Sequence, residues 1–542
     1  MRTLLVLLTL AATGAAQIRF EETSARAGLK VTVRNGATGK FHLVELMPGG
    51  LAVIDFDADG CPDLFFTSGA ALPGLEKTSG QENRLYRNDC RGNFTDVTAK
   101  AGVGGSGYSM APAVADFNND GFPDLFVAGV HRNLLYRNRG DGTFDDITAA
   151  AGFGGSKNWS IAAGWFDADN DGWLDLFVSN YVHWDPATEK PCGLAGQLFY
   201  CHPDQYAGQT HQLFRNNRDG TFTDISAASG ISRVTGKGMG VAIADYDGDG
   251  RMDVLVVNDS LRSFLFRNRG DGKFDERALE DGIALGENGR PIASMGVDFR
   301  DLDNDGRPDA VVTGMVNDSF QYFHNQGAPL YFEDASSASG LALATRSLTG
   351  WGAVVADFDN DGWKDLFFAN SHFPRLGSLM GLKAQLPNRV FRNRDGGRFE
   401  DASAASPALA SAAFYRGAVA ADFDGDGRVD VVVTALGSPA QLYRNTTPAG
   451  HWLAFKLTGT RSNRDGIGAR IEVELEGGRR LYNHASTAGG YASSQDPLVR
   501  FGLGLAQAAK AIRIHWPSGI TQPVPITGVD RVIRVTEKAP LP

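Results

Sequence analysis

Asp55-Phe56-Asp57-Ala58-Asp59-Gly60-Cys61-Pro62-Asp63, followed by the apolar run Leu64-Phe65-Phe66, decides how this chain is read. Carboxylates stand at positions one, three, five and nine, with glycine at six. The pattern returns as Asp116, Asn118, Asp120 and Asp124, then as Asp167, Asp169, Asp171 and Asp175. It returns again as Asp245, Asp247, Asp249 and Asp253, and as Asp301, Asp303, Asp305 and Asp309. The last two copies are Asp357, Asp359, Asp361, Asp365 and Asp422, Asp424, Asp426, Asp430. A second motif follows each loop, as in Leu85-Tyr86-Arg87-Asn88 and Leu135-Tyr136-Arg137-Asn138, with equivalents ending at Asn216, Asn268, Asn325, Asn393 and Asn445. A third, Phe-x-Asp/Glu, begins at Phe94, Phe144, Phe222, Phe274, Phe332 and Phe399. Motifs in one fixed order, repeated at 51 to 78 residues, mark an internal repeat.

Each repeat reads as four short strands. A small-residue strand such as Gly240-Val241-Ala242-Ile243-Ala244 precedes the loop, and a β-branched run such as Asp430-Val431-Val432-Val433-Thr434 follows it. The Tyr-Arg-Asn motif is the third strand. A glycine turn leads to the Phe-x-Asp strand as the fourth. Units of this kind are propeller blades. The seventh unit lacks a fourth strand, while Phe20-Glu21-Glu22-Thr23 matches one without a blade of its own. We therefore expect an all-β fold: a seven-bladed β-propeller over residues 17–446, closed by Phe20–Thr23 beside Leu442–Asn445. A small β-sandwich-like domain over 447–542 is expected to stand independently. Its strands are expected at Trp452–Leu457, Ala469–Leu475, Arg480–Asn483, Leu498–Phe501, Ala511–Trp516 and Val532–Thr536.

The acidic loops point to calcium. Hard carboxylate oxygens around one point, a backbone carbonyl at position seven and glycine at the sharp turn suit Ca²⁺ better than Zn²⁺ or Cu²⁺. An EF-hand is excluded, because its position twelve is Glu between helices; here that position is Phe66, Val127, Val178, Val256, Val312, Phe368 or Val433 between strands. Up to seven sites are expected, one per loop. The chain carries a formal charge of −11, from 52 basic and 63 acidic residues. Seven divalent ions would bring it close to neutrality. An acidic chain gives no reason to bind nucleic acid.

Met1-Arg2, the apolar Leu4–Leu10 and small residues before Gln17 form a secretory signal pattern over 1–16. No later apolar stretch is long enough to span a membrane, so a secreted, extracellular or periplasmic protein is expected. Its four Cys allow three disulfide pairings. Cys61 lies in the first acidic loop and Cys90 in the turn between strands three and four of the same unit. Those two loops share one face of a blade, so Cys61–Cys90 is expected. Cys192 and Cys201 share one insertion and are expected to pair.

With these motifs in view, the repeat resembles the FG-GAP/VCBS repeat of integrin α-chain propellers. The C-terminal part resembles the ASPIC/UnbV module through Ser462-Asn463-Arg464-Asp465-Gly466-Ile467-Gly468-Ala469-Arg470, Gly489-Gly490-Tyr491, Ser493-Ser494-Gln495, Phe501-Gly502-Leu503-Gly504 and Trp516-Pro517-Ser518-Gly519. Together the halves look like the cartilage acidic protein family. The resemblance implies an exported calcium-binding protein and no particular reaction.

Strand parity places the acidic loops on one propeller face. The long insertions Gly69–Glu82, Tyr181–Gln209 and Ser371–Pro387 fall on the other. Tyr108, Trp159, Lys237, Trp351, Tyr415 and Arg416 enter the inner strands there, as an exposed ligand surface or as filling for the axis. No Gly-x-Ser-x-Gly elbow, phosphate loop or His-Glu-x-x-His occurs, and no catalytic residue is assigned. The expected function is binding of an extracellular glycan or protein. The alternative is a polysaccharide hydrolase or lyase using His42, Glu45, His183, His202, Lys237 or Arg416 on the face away from calcium.

Overall fold

Small residues before each acidic loop let backbones crowd, and branched residues after it cover the crowded strand. The computed structural model describes residues 17–189, 191–194, 196–374, 381–526 and 528–538. The expected signal segment 1–16 lies outside them. Among the described residues, seven four-stranded antiparallel meanders follow in chain order, and one of them gains a fifth strand from the C-terminal part. Their inner strands are Leu51–Ile54, Tyr108–Ala115, Ser160–Phe166, Gly238–Ala244, Val297–Arg300, Gly350–Ala356 and Tyr415–Ala421. Each packs on the next, and the last packs on the first, so the ring is closed. The protein is a β-propeller.

One register repeats around the ring. The residue before loop position one pairs with position nine: Ile54 with Asp63, Ala115 with Asp124, Phe166 with Asp175, Ala244 with Asp253, Arg300 with Asp309, Ala356 with Asp365 and Ala421 with Asp430. Fixed register presents the same carboxylates from every sheet. The seventh sheet takes its outer strand from the N-terminus: Phe20 pairs with Asn445, Glu21 with Arg444 and Glu22 with Tyr443, and Thr23 N–H reaches Leu442 O at 2.9 Å. Phe20 packs edge-on against Phe358 at 5.4 Å, as Phe94 does against Phe423 at 5.6 Å and Phe222 against Phe117 at 5.5 Å. The N-terminal strand thus does the work of a fourth strand and covers an open edge.

Residues from His451 onward build a three-stranded sheet, in the order Val499–Gly504, His451–Thr458, Arg531–Thr536. A four-stranded sheet runs Arg480–His484, Arg470–Leu475, Ala509–His515, Thr521–Pro523; its last strand was not expected from the sequence. Leu453, Phe455, Ile471, Val473, Ile512 and Ile514 fill their shared core.

This module is not independent, which corrects the sequence reading. Its segment from Ala485 to Gln495 threads the propeller axis. Ser493–Ser494 pairs in parallel with Leu51–Ala52. Gly490 N–H donates to Val297 O at 2.6 Å, Ser494 Oγ accepts from Val114 N–H at 3.1 Å, and Gln495 Nε2 donates to Ala418 O at 3.1 Å. The Tyr491 hydroxyl donates to Met47 O at 2.7 Å. Gly489 allows close approach: a Cβ there would lie 3.0 Å from Asp298 Oδ1. Small inner-strand residues leave room for this segment as well as for one another.

Candidate metal centre

Each acidic loop folds around its own carboxylates. In six loops the position-one Asp accepts two backbone N–H groups, from positions five and six. For Asp116 these are Asp120 at 3.0 Å and Gly121 at 2.7 Å, and for Asp357 they are Asp361 at 3.0 Å and Gly362 at 2.7 Å. Loop one departs, with Asp55 Oδ1 accepting from Gly60 at 3.2 Å. Position nine is engaged on both oxygens. In loop four, Asp253 Oδ2 accepts from Tyr246 N–H at 3.2 Å and Oδ1 from Asn268 N–H at 2.7 Å. The other six loops repeat both bonds.

The asparagine closing the Tyr-Arg-Asn motif does more than its place in a strand suggested. Its side chain bridges neighbouring sheets. Asn138 Nδ2 donates to Phe56 O at 2.8 Å, Asn216 to Phe117 O at 2.9 Å, Asn268 to Ala168 O at 2.8 Å and Asn325 to Tyr246 O at 2.8 Å. Asn393 reaches Leu302 O at 2.9 Å, Asn445 reaches Phe358 O at 2.8 Å, and Asn88 closes the circle on Phe423 O at 2.8 Å. Strict recurrence of Asn was the signal, because only an amide can donate twice and accept at the same point.

The loops fit a hard cation. One carboxylate oxygen from each of Asp55, Asp57 and Asp63 lies within 4.8 Å of the other two, as happens for Asp167, Asp169, Asp175 and for Asp245, Asp247, Asp249. In loop five the cluster is Asp303, Asp305 and His324, the last a residue the sequence reading did not include. Asp59 falls into a group with Cys61 and Cys90, but those sulfurs are joined to each other. Asp57 Oδ1 and Asp359 Oδ1 are buried without a hydrogen-bond partner. Burial pushes the Asp63 carboxyl up to about 8, those of Asp116, Asp167 and Asp301 to about 7, and that of Asp245 to about 6. Buried, mutually repelling carboxylates with orphan oxygens call for positive charge. Strand-three cations supply part of it from outside: Arg267 meets Asp247 at 2.5 Å, and Arg392 meets Asp359 at 2.7 Å. Oxygen ligands of this number and type suit Ca²⁺.

The C-terminal module seats on this face. Lys456 Nζ reaches Asp55 Oδ2 at 2.9 Å. Asp465 Oδ2 accepts from Asp116 N–H at 2.8 Å, and Arg464 N–H donates to Asn119 Oδ1 at 2.9 Å. Gly504 N–H donates to Asn360 O at 2.7 Å, and Tyr482 N–H to Asn304 Oδ1 at 3.2 Å. The Ser462–Arg470 motif is therefore a docking loop, pinned internally by Asn463 Oδ1, which accepts Ile467 N–H at 2.9 Å.

Both expected disulfides are present, Cys61–Cys90 and Cys192–Cys201. The proposed exposed surface on the opposite face is not open. Tyr108, Trp159, Lys237, Trp351, Tyr415 and Arg416 are each at most 6 % exposed. Tyr108 donates to Asn35 O at 2.8 Å, Trp159 packs on Trp184 at 5.5 Å, and Lys237 pairs with Asp204 at 3.0 Å. The Arg416 guanidinium lies 3.7 Å over Trp351, which meets Tyr491 at 5.0 Å. Tyr415 donates to Ser411 O at 3.1 Å. Insertions and the axial segment cover these side chains together. Of the residues named for the enzyme alternative, His42 pairs with Glu189, Glu45 with Tyr200 at 3.1 Å and His183 with Gln209 at 3.3 Å, while His202 meets Asp204 at 3.3 Å, the carboxylate that also holds Lys237. Part of the Ser371–Pro387 insertion lies outside the described residues.

The profile of the FG-GAP-like repeat matches residues 55–127, 116–178, 201–256, 251–312, 301–368 and 379–433. The chain belongs to the FG-GAP-like repeat family. The ASPIC and UnbV profile matches residues 459–541 of this FG-GAP-like protein. Cartilage acidic protein 1 of Homo sapiens is 27% identical over 304 residues, 55% of this chain and 43% of that protein. The Mus musculus protein is also 27% identical over 304 residues, covering 44% of its length. The chain thus spans less than half the length of these curated relatives. Among solved structures, an Agrocybe aegerita lectin recognising non-reducing terminal N-acetylglucosamine aligns with a TM-score of 0.42 at 15% identity, over 72% of this chain and 93% of that one. A Bacillus licheniformis rhamnogalacturonan lyase aligns with a TM-score of 0.37 at 15% identity, over 80% of this chain and 76% of that one. Among the described residues no helix is long and apolar enough to cross a membrane.

Proposed function

We propose that this FG-GAP-like protein is an exported, calcium-stabilised binding module, with one Ca²⁺ site in each acidic loop. The observation that carries the reading is the convergence of buried carboxylates, some with orphan oxygens, in loops of one register. Bound calcium would be held by position-one, -three and -five carboxylates, with position nine as a further ligand, and would neutralise charge that otherwise opposes folding. The C-terminal module would then dock on a face of loops made rigid by metal. Two disulfides suit an oxidising compartment, as does the signal pattern. The relatives' name speaks for a similar extracellular setting. Ligand that binds only the folded state raises stability by mass action, so the test is thermal unfolding of calcium-loaded protein with and without chelator. The expected result is a large fall in Tm that added calcium reverses. An unchanged Tm after complete metal removal contradicts the proposal.

A further inference from the structure

The seven loops are not covered alike. In loops two, three, five and six, position four is Asn in left-handed backbone, with φ between 53° and 59°. Its side chain bridges to the position-six carbonyl of the next loop. Asn119 reaches Gly172 O at 3.1 Å, Asn170 reaches Gly250 O at 3.1 Å, Asn304 reaches Gly362 O at 2.8 Å and Asn360 reaches Gly427 O at 3.1 Å. Loop four has Gly248 at this position and makes no such bridge to Gly306. Loops one and seven also lack the Asn, but there Arg534 lies against Gly60 and Arg464 against Gly121. Between loops four and five a cleft of about 600 Å³ opens instead, walled on its far side by the C-terminal module. That volume suits a small organic ligand such as a di- or trisaccharide.

The walls are specific. Tyr331 and Tyr482 are half-buried, so each presents part of a ring to the cleft. Arg470 is exposed, and its guanidinium has one long contact, 3.5 Å to Gly306 O, and no ion pair among the described residues. His515 beside it bonds Thr521 Oγ1 at 3.1 Å through Nδ1, leaving Nε2 unengaged. Asp245, Asp247 and Asp249 of loop four line the cleft's acidic floor, with Asp167 of loop three and Asp301 of loop five beside them. Aromatic faces suit the C–H face of a sugar ring, and a planar guanidinium matches a carboxylate in two-pronged fashion.

We propose that this cleft binds an acidic saccharide, its carboxylate held by Arg470 and its rings laid on Tyr482 and Tyr331. The proposal rests on the calcium reading, because an unfilled loop-four floor would repel an anion.

The probes are trigalacturonate and its neutral counterpart galactotriose, titrated calorimetrically at fixed calcium into full-length protein first shown by dialysis to hold the metal. Wild type is expected to bind one trigalacturonate per chain, and galactotriose at least about tenfold more weakly. Arg470→Gln is expected to weaken trigalacturonate binding by about tenfold or more at unchanged Tm. Gly248→Asn places in loop four the residue that loops two, three, five and six use. A Cβ there meets nothing within 4 Å, and its φ of +75° lies in the left-handed region that Asn adopts at the other four loops, so the variant should fold, bridge to Gly306 and narrow the cleft, with weakened binding. Absence of trigalacturonate binding to metal-loaded protein overturns the cleft proposal and leaves the calcium reading standing. So does equal affinity for galactotriose, or unchanged affinity in both variants. Protein that takes up no calcium overturns both.

Discussion

Loops two and four fold on one template and differ in what lies over them. Asp116 and Asp245 each accept backbone N–H groups from positions five and six. Asp124 and Asp253 each tie the loop to strand three. Over loop two, however, Asp465 caps Asp116 N–H and Asn119 reaches across to Gly172. Over loop four stands a cleft, and Gly248 has no side chain to reach across to Gly306. Local repeat chemistry therefore sets what a loop can hold. The unrepeated C-terminal module sets what else can approach it.

Loosening the module should remove the Asp465 cap on Asp116 and leave the Asn119 bridge, which belongs to the propeller itself, in place. Tyr491 is fully buried at the axis, against Trp351 and Met47. Tyr491→Ala should destabilise the protein by about 3–5 kcal/mol, as a large buried aromatic does when truncated. The Asp116 amide, which Asp465 caps, should then exchange faster. Denaturant unfolding and hydrogen exchange check the two halves of this expectation.

The latch asparagines test what the loops share. Asn216→Ala and Asn268→Ala each remove two buried donor contacts and leave carbonyls unmet. Each should cost about 2–3 kcal/mol, with nearly equal values in urea unfolding. A large inequality would show that cover, and not the repeat, decides the stability of each sheet.

Acid should sharpen the comparison in metal-free protein. The Asp116 carboxyl is pushed to about 7 by burial and then by Asp465, and that of Asp245 to about 6 by burial and by the neighbouring Asp247 and Asp249, against the backbone N–H bonds from Gly250 and Gly248 that hold it down. Folded protein therefore holds more protons than unfolded protein between about pH 4 and pH 7. Stability from this source is complete below about pH 4 and is lost as pH rises through 6 to 7. Metal-free Tm should accordingly fall from pH 5 to pH 7.5. Calcium competes with those protons, so the loaded protein should show a weaker or opposite trend.

The smallest effect is expected at the rim. Arg218 meets Asp171 of loop three, but its side chain is 53% exposed. Arg218→Ala should leave the midpoint of urea unfolding nearly unchanged.

What the sequence made legible follows the same division. Repeated features could be read because each copy checks the others. The acidic loops, the strand order, the Phe20–Asn445 closure and the Cys61–Cys90 pair all follow from local spacing and strand parity. Gly489–Gln495 could not be read, because a glycine-rich polar segment looks like a turn until the Ala- and Gly-lined axis around it is known. Tyr108, Trp159 and Arg416 read either as a surface or as filling for the axis, because nothing in their spacing shows that Leu43–Met47 and Tyr181–Gln209 fold over them. His324 joined a metal cluster only through its strand-three register. The Gly248 departure was visible as a letter, but its meaning depends on the bridges that Asn119, Asn170, Asn304 and Asn360 make elsewhere.

The central claim is that each acidic loop holds its own calcium ion, whatever covers it. Equilibrium dialysis against labelled calcium tests it most directly, with wild type measured beside the Asp247→Ala, Asp249→Ala double variant. The account predicts that the variant binds one ion fewer and stays folded, with the remaining ions retained. An unchanged ion count, or a wild-type protein that takes up no calcium, would contradict it.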